Sequence, residues 1–213
     1  MSGEVIRATG DWTLYENHMG ISMVYPRQPI SPRVVSDPDD EFNFEIERLP
    51  GKRWAKLFID ENVPISTHIA ITHACSKQLL DLHQRTGLII LDRNPSNIIV
   101  DNYQDPQNLE VYQIDLESIY NTRTKELSIC DTENYSDWIR YSRDRQTVQE
   151  VAGDLHLALR IRNDFITDTQ EVEQTNHFDS LLEKVRSNPG KYTLNKFVIF
   201  LEDVMEQMNE AKV

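Results

Sequence analysis

Long apolar runs are missing from this chain of 213 residues. The apolar runs at 88–91 and 98–100 have strand length, far short of the roughly 18 residues a membrane span needs. Cysteine is scarce, with only Cys75 and Cys130. Two thiols are too few for a zinc site without help. The opening Met1, Ser2, Gly3 and Glu4 contain no basic segment leading into an apolar core, so no signal peptide is expected. Both cysteines are then expected as reduced thiols in a cytoplasmic protein. Positive charge is also in deficit, 22 Lys and Arg against 35 Asp and Glu, for a net charge of −13. That balance argues against general nucleic-acid binding and against loose attachment to anionic membrane. Lysine is absent before Lys52, and no G-x-G-x-x-G occurs in that stretch.

What is present suits a folded chain. Hydrophobic residues make up 39%, with three Trp, eight Tyr and seven Phe. The first forty residues differ from the rest. Residues 12–15 and 21–25 have strand composition and frame a hairpin closed at Gly20. Pro26, Pro29, Pro32 and Pro38 then mark a loop or extended arm. Phe42, Phe44 and Ile46 alternate with Asn43 and Glu45, the pattern of a half-exposed strand, which Leu49, Pro50 and Gly51 end.

Helical spacing follows. Trp54, Leu57 and Phe58 share one face of a short helix. Ile65, Ile69, Thr72, Cys75, Leu79 and Leu82 form a stripe that predicts a helix over 66–83, capped by Ser66 and punctuated by Gly87. Short strands are expected at 88–91, 98–100 and 111–114, with a polar hairpin loop over 102–108. Further helices are marked by Val148, Val151, Ala152, Leu155 and Leu159, and by Phe178, Leu181, Leu182 and Val185. A last one carries Leu194, Phe197, Val198, Leu201, Met205 and Met208. Residues 138–141 begin another helical segment. The overall expectation is an α+β chain: a β-rich segment over 1–47 and a mainly helical body over 48–213.

Chemistry concentrates at 90–100, Ile-Leu-Asp-Arg-Asn-Pro-Ser-Asn-Ile-Ile-Val, and at 113–117, Gln-Ile-Asp-Leu-Glu. Asp92 and Asn97 lie five apart across a turn stiffened by Pro95, and Asp115 ends an apolar strand. Phosphoryl transfer from ATP uses such a set: one carboxylate to orient the acceptor hydroxyl, one amide and a second carboxylate to hold Mg²⁺. By themselves Asp92 and Asn97 also fit ordinary turn chemistry around Asn94 and Pro95.

The two stretches together resemble the catalytic loop and metal-binding Asp motif of the protein-kinase-like superfamily. The Ile-Asp-Leu-Glu form is closest to aminoglycoside and other small-molecule kinases. The resemblance implies a minimal kinase-like fold dominated by its helical C-lobe. It implies Asp92 as catalytic residue, Asn97 and Asp115 as Mg²⁺ ligands, and ATP as cofactor. Residues 44–51 resemble the hinge strand and its glycine turn, so backbone groups around Glu45 and Glu47 would face adenine. Departures from the pattern are Ile90, Leu91, Asn94 and Glu117, together with the missing strand lysine and a shortened N-lobe. They imply an alternative, a non-catalytic kinase-like scaffold or subunit, with a partner protein covering or completing the N-lobe. The Pro-rich arm at 26–38 would pack on such a partner.

His68, His73, His156 and His177 show no ligand spacing, and His83 is read as a neutral, hydrogen-bonded histidine at the edge of the core. Cys75, on the apolar stripe, is read as a buried thiol. Arg140, Arg143, Arg145, Arg160 and Arg162 are the main basic concentration, read as a solvated face.

Overall fold

The computed structural model describes residues 5–9, 43–60, 63–90, 93–114, 119–123, 127–128, 143–163, 169–188 and 191–210. The expected hairpin at 12–25, the Pro-rich arm and the segment at 138–141 lie outside them. The described chain is mixed α+β, with β-strands toward its N-terminal part and a mostly helical C-terminal part.

Strand β1 (Val5–Thr9) pairs antiparallel with β2 (Asn43–Glu47), Val5 opposite Glu47 and Arg7 opposite Glu45. β2 is the alternating strand read from the sequence, moved one residue along; β1 was not anticipated. Arg48 to Pro50 lead to Gly51, whose φ is +98°. A Cβ there would lie 2.1 Å from the Val100 carbonyl oxygen. Glycine is therefore required twice over, for the left-handed backbone and for the close crossing. The crossing delivers β3 (Lys52–Arg53) onto β5 (Ile98–Asp101), which pairs in turn with β6 (Glu110–Gln113).

Helix α1 (Trp54–Leu57) follows at once, and Trp54, Leu57 and Phe58 are all buried as their shared face required. Helix α2 (Ile65–Thr86) is longer than its stripe suggested. Ser66 is not its cap: Pro64 occupies that position in extended conformation, with no side-chain cap bond. Proline with its fixed φ serves at a helix start where a free N–H is not needed. At the other end Gly87 takes φ +78° and its N–H donates to the His83 carbonyl at 2.8 Å. Gly87 thus ends the helix, as its position in the sequence indicated, and does so in the αL conformation.

Two apolar compartments meet on α2. One joins Ile65, Ile69, Leu79 and Leu82 to the helices α3 (Arg143–Asn163), α4 (Thr169–Ser187) and α5 (Leu194–Glu210) through Val148, Leu155, Leu182 and Phe197. The other joins Ile71 and Cys75 to Trp54, Leu57, Ile98, Val100, Val111 and Ala158. Helix α2 is thus enclosed on two sides, which is why its apolar residues spread beyond a single stripe. The fully buried Trp54 donates its indole N–H to His68 Nδ1 at 3.1 Å. His68 is accordingly a core residue with a hydrogen bond.

A separate three-stranded sheet holds β4 (Leu88–Ile90), β7 (Ile119–Asn121) and β8 (Leu127–Ser128), in the order β4-β7-β8. The expected strand at 88–91 therefore does not join the 98–114 hairpin. It pairs with a strand the sequence did not single out, Leu88 opposite Asn121. Among the described residues no helix is long and apolar enough to cross a membrane.

Candidate functional site

Loop and hairpin are built by local rules. Asn94 is extended and its side chain accepts from the Ser96 N–H at 2.9 Å. That bond caps a single 3₁₀ turn, Pro95–Asn97, in which Pro95 supplies a fixed φ and is itself buried. Asn97 N–H closes the turn on the Asn94 carbonyl at 2.9 Å. The chain then enters β5, whose Ile98 and Val100 point into the core. The polar loop after β5 turns at Asn102, the one described non-glycine residue with positive φ (52°). Asp105 organises it by accepting from the Gln107 N–H and the Asn108 amide.

β6 returns antiparallel, Ile98 opposite Gln113 and Val100 opposite Val111. One bond extends the pairing past the strand: Ile114 N–H donates to the Asn97 carbonyl at 2.9 Å. Asn97, a candidate metal ligand, thereby lies beside the residue that immediately precedes Asp115. Asp92, Asp115 and Glu117 themselves lie outside the described residues. Glu45 and Glu47 lie on β2, facing Arg7 and Val5 in register. Only their backbone placement is described.

Behind the loop runs a polar chain that no sequence pattern marks. The Arg93 side chain is 1% exposed. Its Nε donates to Gln113 Oε1 at 3.4 Å, and its Nη2 lies 3.5 Å from Asp154 Oδ2 on α3. Neither Nη atom nor Asp154 Oδ2 has a hydrogen-bond partner among the described residues. The Gln113 amide nitrogen contacts Gln78 Oε1 at 3.4 Å and Cys75 Sγ at 3.8 Å. Gln78 in turn donates to the Val111 carbonyl at 2.9 Å. Burial pushes the Asp154 carboxyl up to about 6, against the opposing pull of Arg93. Burial likewise pushes the Cys75 thiol up to about 11, as for a buried structural cysteine. An arginine inside a polar loop is usually exposed. Only tertiary packing reveals that this one points inward.

The remaining candidates take structural places. Lys52, the first lysine of the chain, sits 5.0 Å above the Tyr103 ring and 3.6 Å from Asp60. His73 Nε2 meets Glu202 at 3.0 Å, joining α2 to α5. His156 on α3 contacts Asp179 and Glu183 on α4. Arg160 is exposed, and Cys130 and Arg140 lie outside the described residues. No three His, Cys, Asp or Glu residues converge on a metal position among the described residues. Elsewhere a groove of about 500 Å³ lies between α2, the 102–109 loop and α5. Ala70, Met205 and Met208 line it beside Asp105, Glu202 and Glu206. No protein-family model matches the chain, and no curated protein matches it in sequence.

Proposed function

We propose that the chain is an ATP- and Mg²⁺-dependent phosphotransferase on a minimal kinase-like fold, acting on a hydroxyl of a protein or small molecule. The observation that supports this reading is the pairing of β5 with β6, extended by the Asn97–Ile114 bond. It brings the chain that follows Asp92 alongside the chain that leads into Asp115. In this reading Asp92 orients the acceptor hydroxyl, and Asn97 and Asp115 offer the hard oxygen donors that Mg²⁺ takes. The β2 backbone at Glu45 and Glu47 borders adenine, and catalysis rests on positioning and charge neutralisation. Calorimetric titration with ATP and Mg²⁺ should show saturable binding. Asp92→Asn should abolish phosphoryl transfer while leaving the fold intact. Full activity in that variant would falsify the assignment.

A second reading is a non-catalytic, cytoplasmic scaffold whose partner covers or completes the N-lobe. The position of Lys52 favours it, because Tyr103 and Asp60 engage that ammonium. So does the groove, whose methionines and acidic rim suit a basic amphipathic segment of a partner. A synthetic amphipathic peptide with lysines on its polar face should bind and should lose binding in Glu202→Lys/Glu206→Lys. No ATP–Mg²⁺ binding, alone or with partners, selects this second reading.

A further inference from the structure

Burying a guanidinium is strongly unfavourable unless it is paired. Yet the loop that begins after Asp92 sends Arg93 inward rather than to solvent. The side chain ends among three elements. Gln113 of β6 accepts from Nε, Asp154 of α3 faces Nη2, and through Gln113 the contact continues to Cys75 and Gln78 of α2. Two of these attachment points have special places in the chain. Arg93 directly follows Asp92, and Gln113 stands two residues before Asp115. One side-chain contact therefore ties together the two stretches of backbone that carry the candidate acids. The 3₁₀ turn is held by the Asn97–Ile114 backbone bond and by its packing on α1 and β3. The guanidinium adds a side-chain tie from the start of the loop to β6 and α3.

We propose that Arg93 is a positioning residue: its buried guanidinium, held between Gln113 and Asp154, fixes the separation of the chain after Asp92 from the chain before Asp115. What the brace is for rests on the phosphotransferase reading; the brace itself does not. Asp154 supplies the counter-charge and Gln113 the register between loop and strand. Among the described residues the ionisable groups facing Asp154 are Arg93 and, on α2, Cys75.

Amide hydrogen exchange on the full chain tests the brace. Arg93→Gln should lower protection at Asn97 and Ile114 together by tenfold or more, leaving Phe197 and Leu201 of α5 unchanged. Arg93→Lys, which restores the charge facing Asp154, should keep Asn97 within threefold of wild type. Gln113→Met should loosen Ile114 more than Asn97. Unchanged protection at both amides in Arg93→Gln, or an equal loss throughout α5, overturns the proposal. Should Arg93→Gln fail to fold, Gln113→Met decides: greater loss at Ile114 than at Asn97 supports the proposal, and unchanged protection at Ile114 overturns it. Calorimetry separates the role from the brace. In Arg93→Gln the gain in ATP affinity on adding Mg²⁺ should shrink about tenfold, with metal-free ATP affinity unchanged. If wild-type chain binds no ATP–Mg²⁺ while the exchange pattern holds, the brace stands and its assigned role is overturned.

Discussion

Asp154 shows how one buried side chain sets a pH dependence. Its folded-state carboxyl is pushed up to about 6 by burial, above the ordinary aspartate value near 4. The folded state then holds the proton more tightly than the unfolded state. The contribution to stability is fully present below about pH 4 and is lost as pH rises through about 6. Measured by urea unfolding, the stability of wild type relative to Asp154→Asn should fall by roughly 2–3 kcal/mol between pH 4 and 7. A difference that is flat or rises over that window would contradict the burial of this carboxyl. Two glycines supply sharper tests. Gly51→Ala would place a methyl 2.1 Å from the Val100 carbonyl oxygen at φ +98°, a backbone–backbone clash that a rotamer change cannot relieve. It should cost about 3 kcal/mol or more. Gly87→Ala, at φ +78°, meets the Thr122 hydroxyl and the flexible Arg123 side chain. It should cost less, about 1–2 kcal/mol.

At the scale of elements, α2 and α3 carry the packing. Leu155 is fully buried on α3 in the helical compartment. Leu155→Ala should cost about 2–5 kcal/mol, read as a lower urea midpoint with an unchanged slope. These elements were legible in the sequence because their apolar residues recur at helical spacing. Every residue of the stripe from Ile65 to Leu82 proved buried. The strands at 98–101 and 110–113 were legible for a similar reason, as short apolar runs on either side of a polar turn. What was not legible depends on distant partners. β1, β3 and the β7–β8 pair are two to five residues long, and their identity comes from the strand beside them. The Ser66 cap was the ordinary inference, overtaken by Pro64 two residues earlier. Within the candidate site, Asn97 and the approach of 113–114 followed from the strand pattern. Arg93 did not, because a charged residue in a polar loop carries no local mark of burial.

For the whole molecule, the charge of −13 is a repulsion shared by every part of the folded chain. Added sodium chloride screens it, so the melting temperature should rise by a few degrees between 20 and 300 mM salt. A fall would mean that local ion pairs such as Lys52–Asp60 outweigh the general repulsion. Compactness has a consequence for how the chain is made. The carbonyls at the end of α2, those of Arg85 and the capping Gly87, are closed by a segment 35 to 38 residues downstream. Thr122 donates both its N–H and its hydroxyl to the Gly87 carbonyl, and Arg123 donates to that of Arg85. During synthesis α2 leaves the ribosome well before its clasp. The nascent helix therefore waits with a frayed tail, and the interval before residue 123 emerges is when a chaperone or protease would find it open.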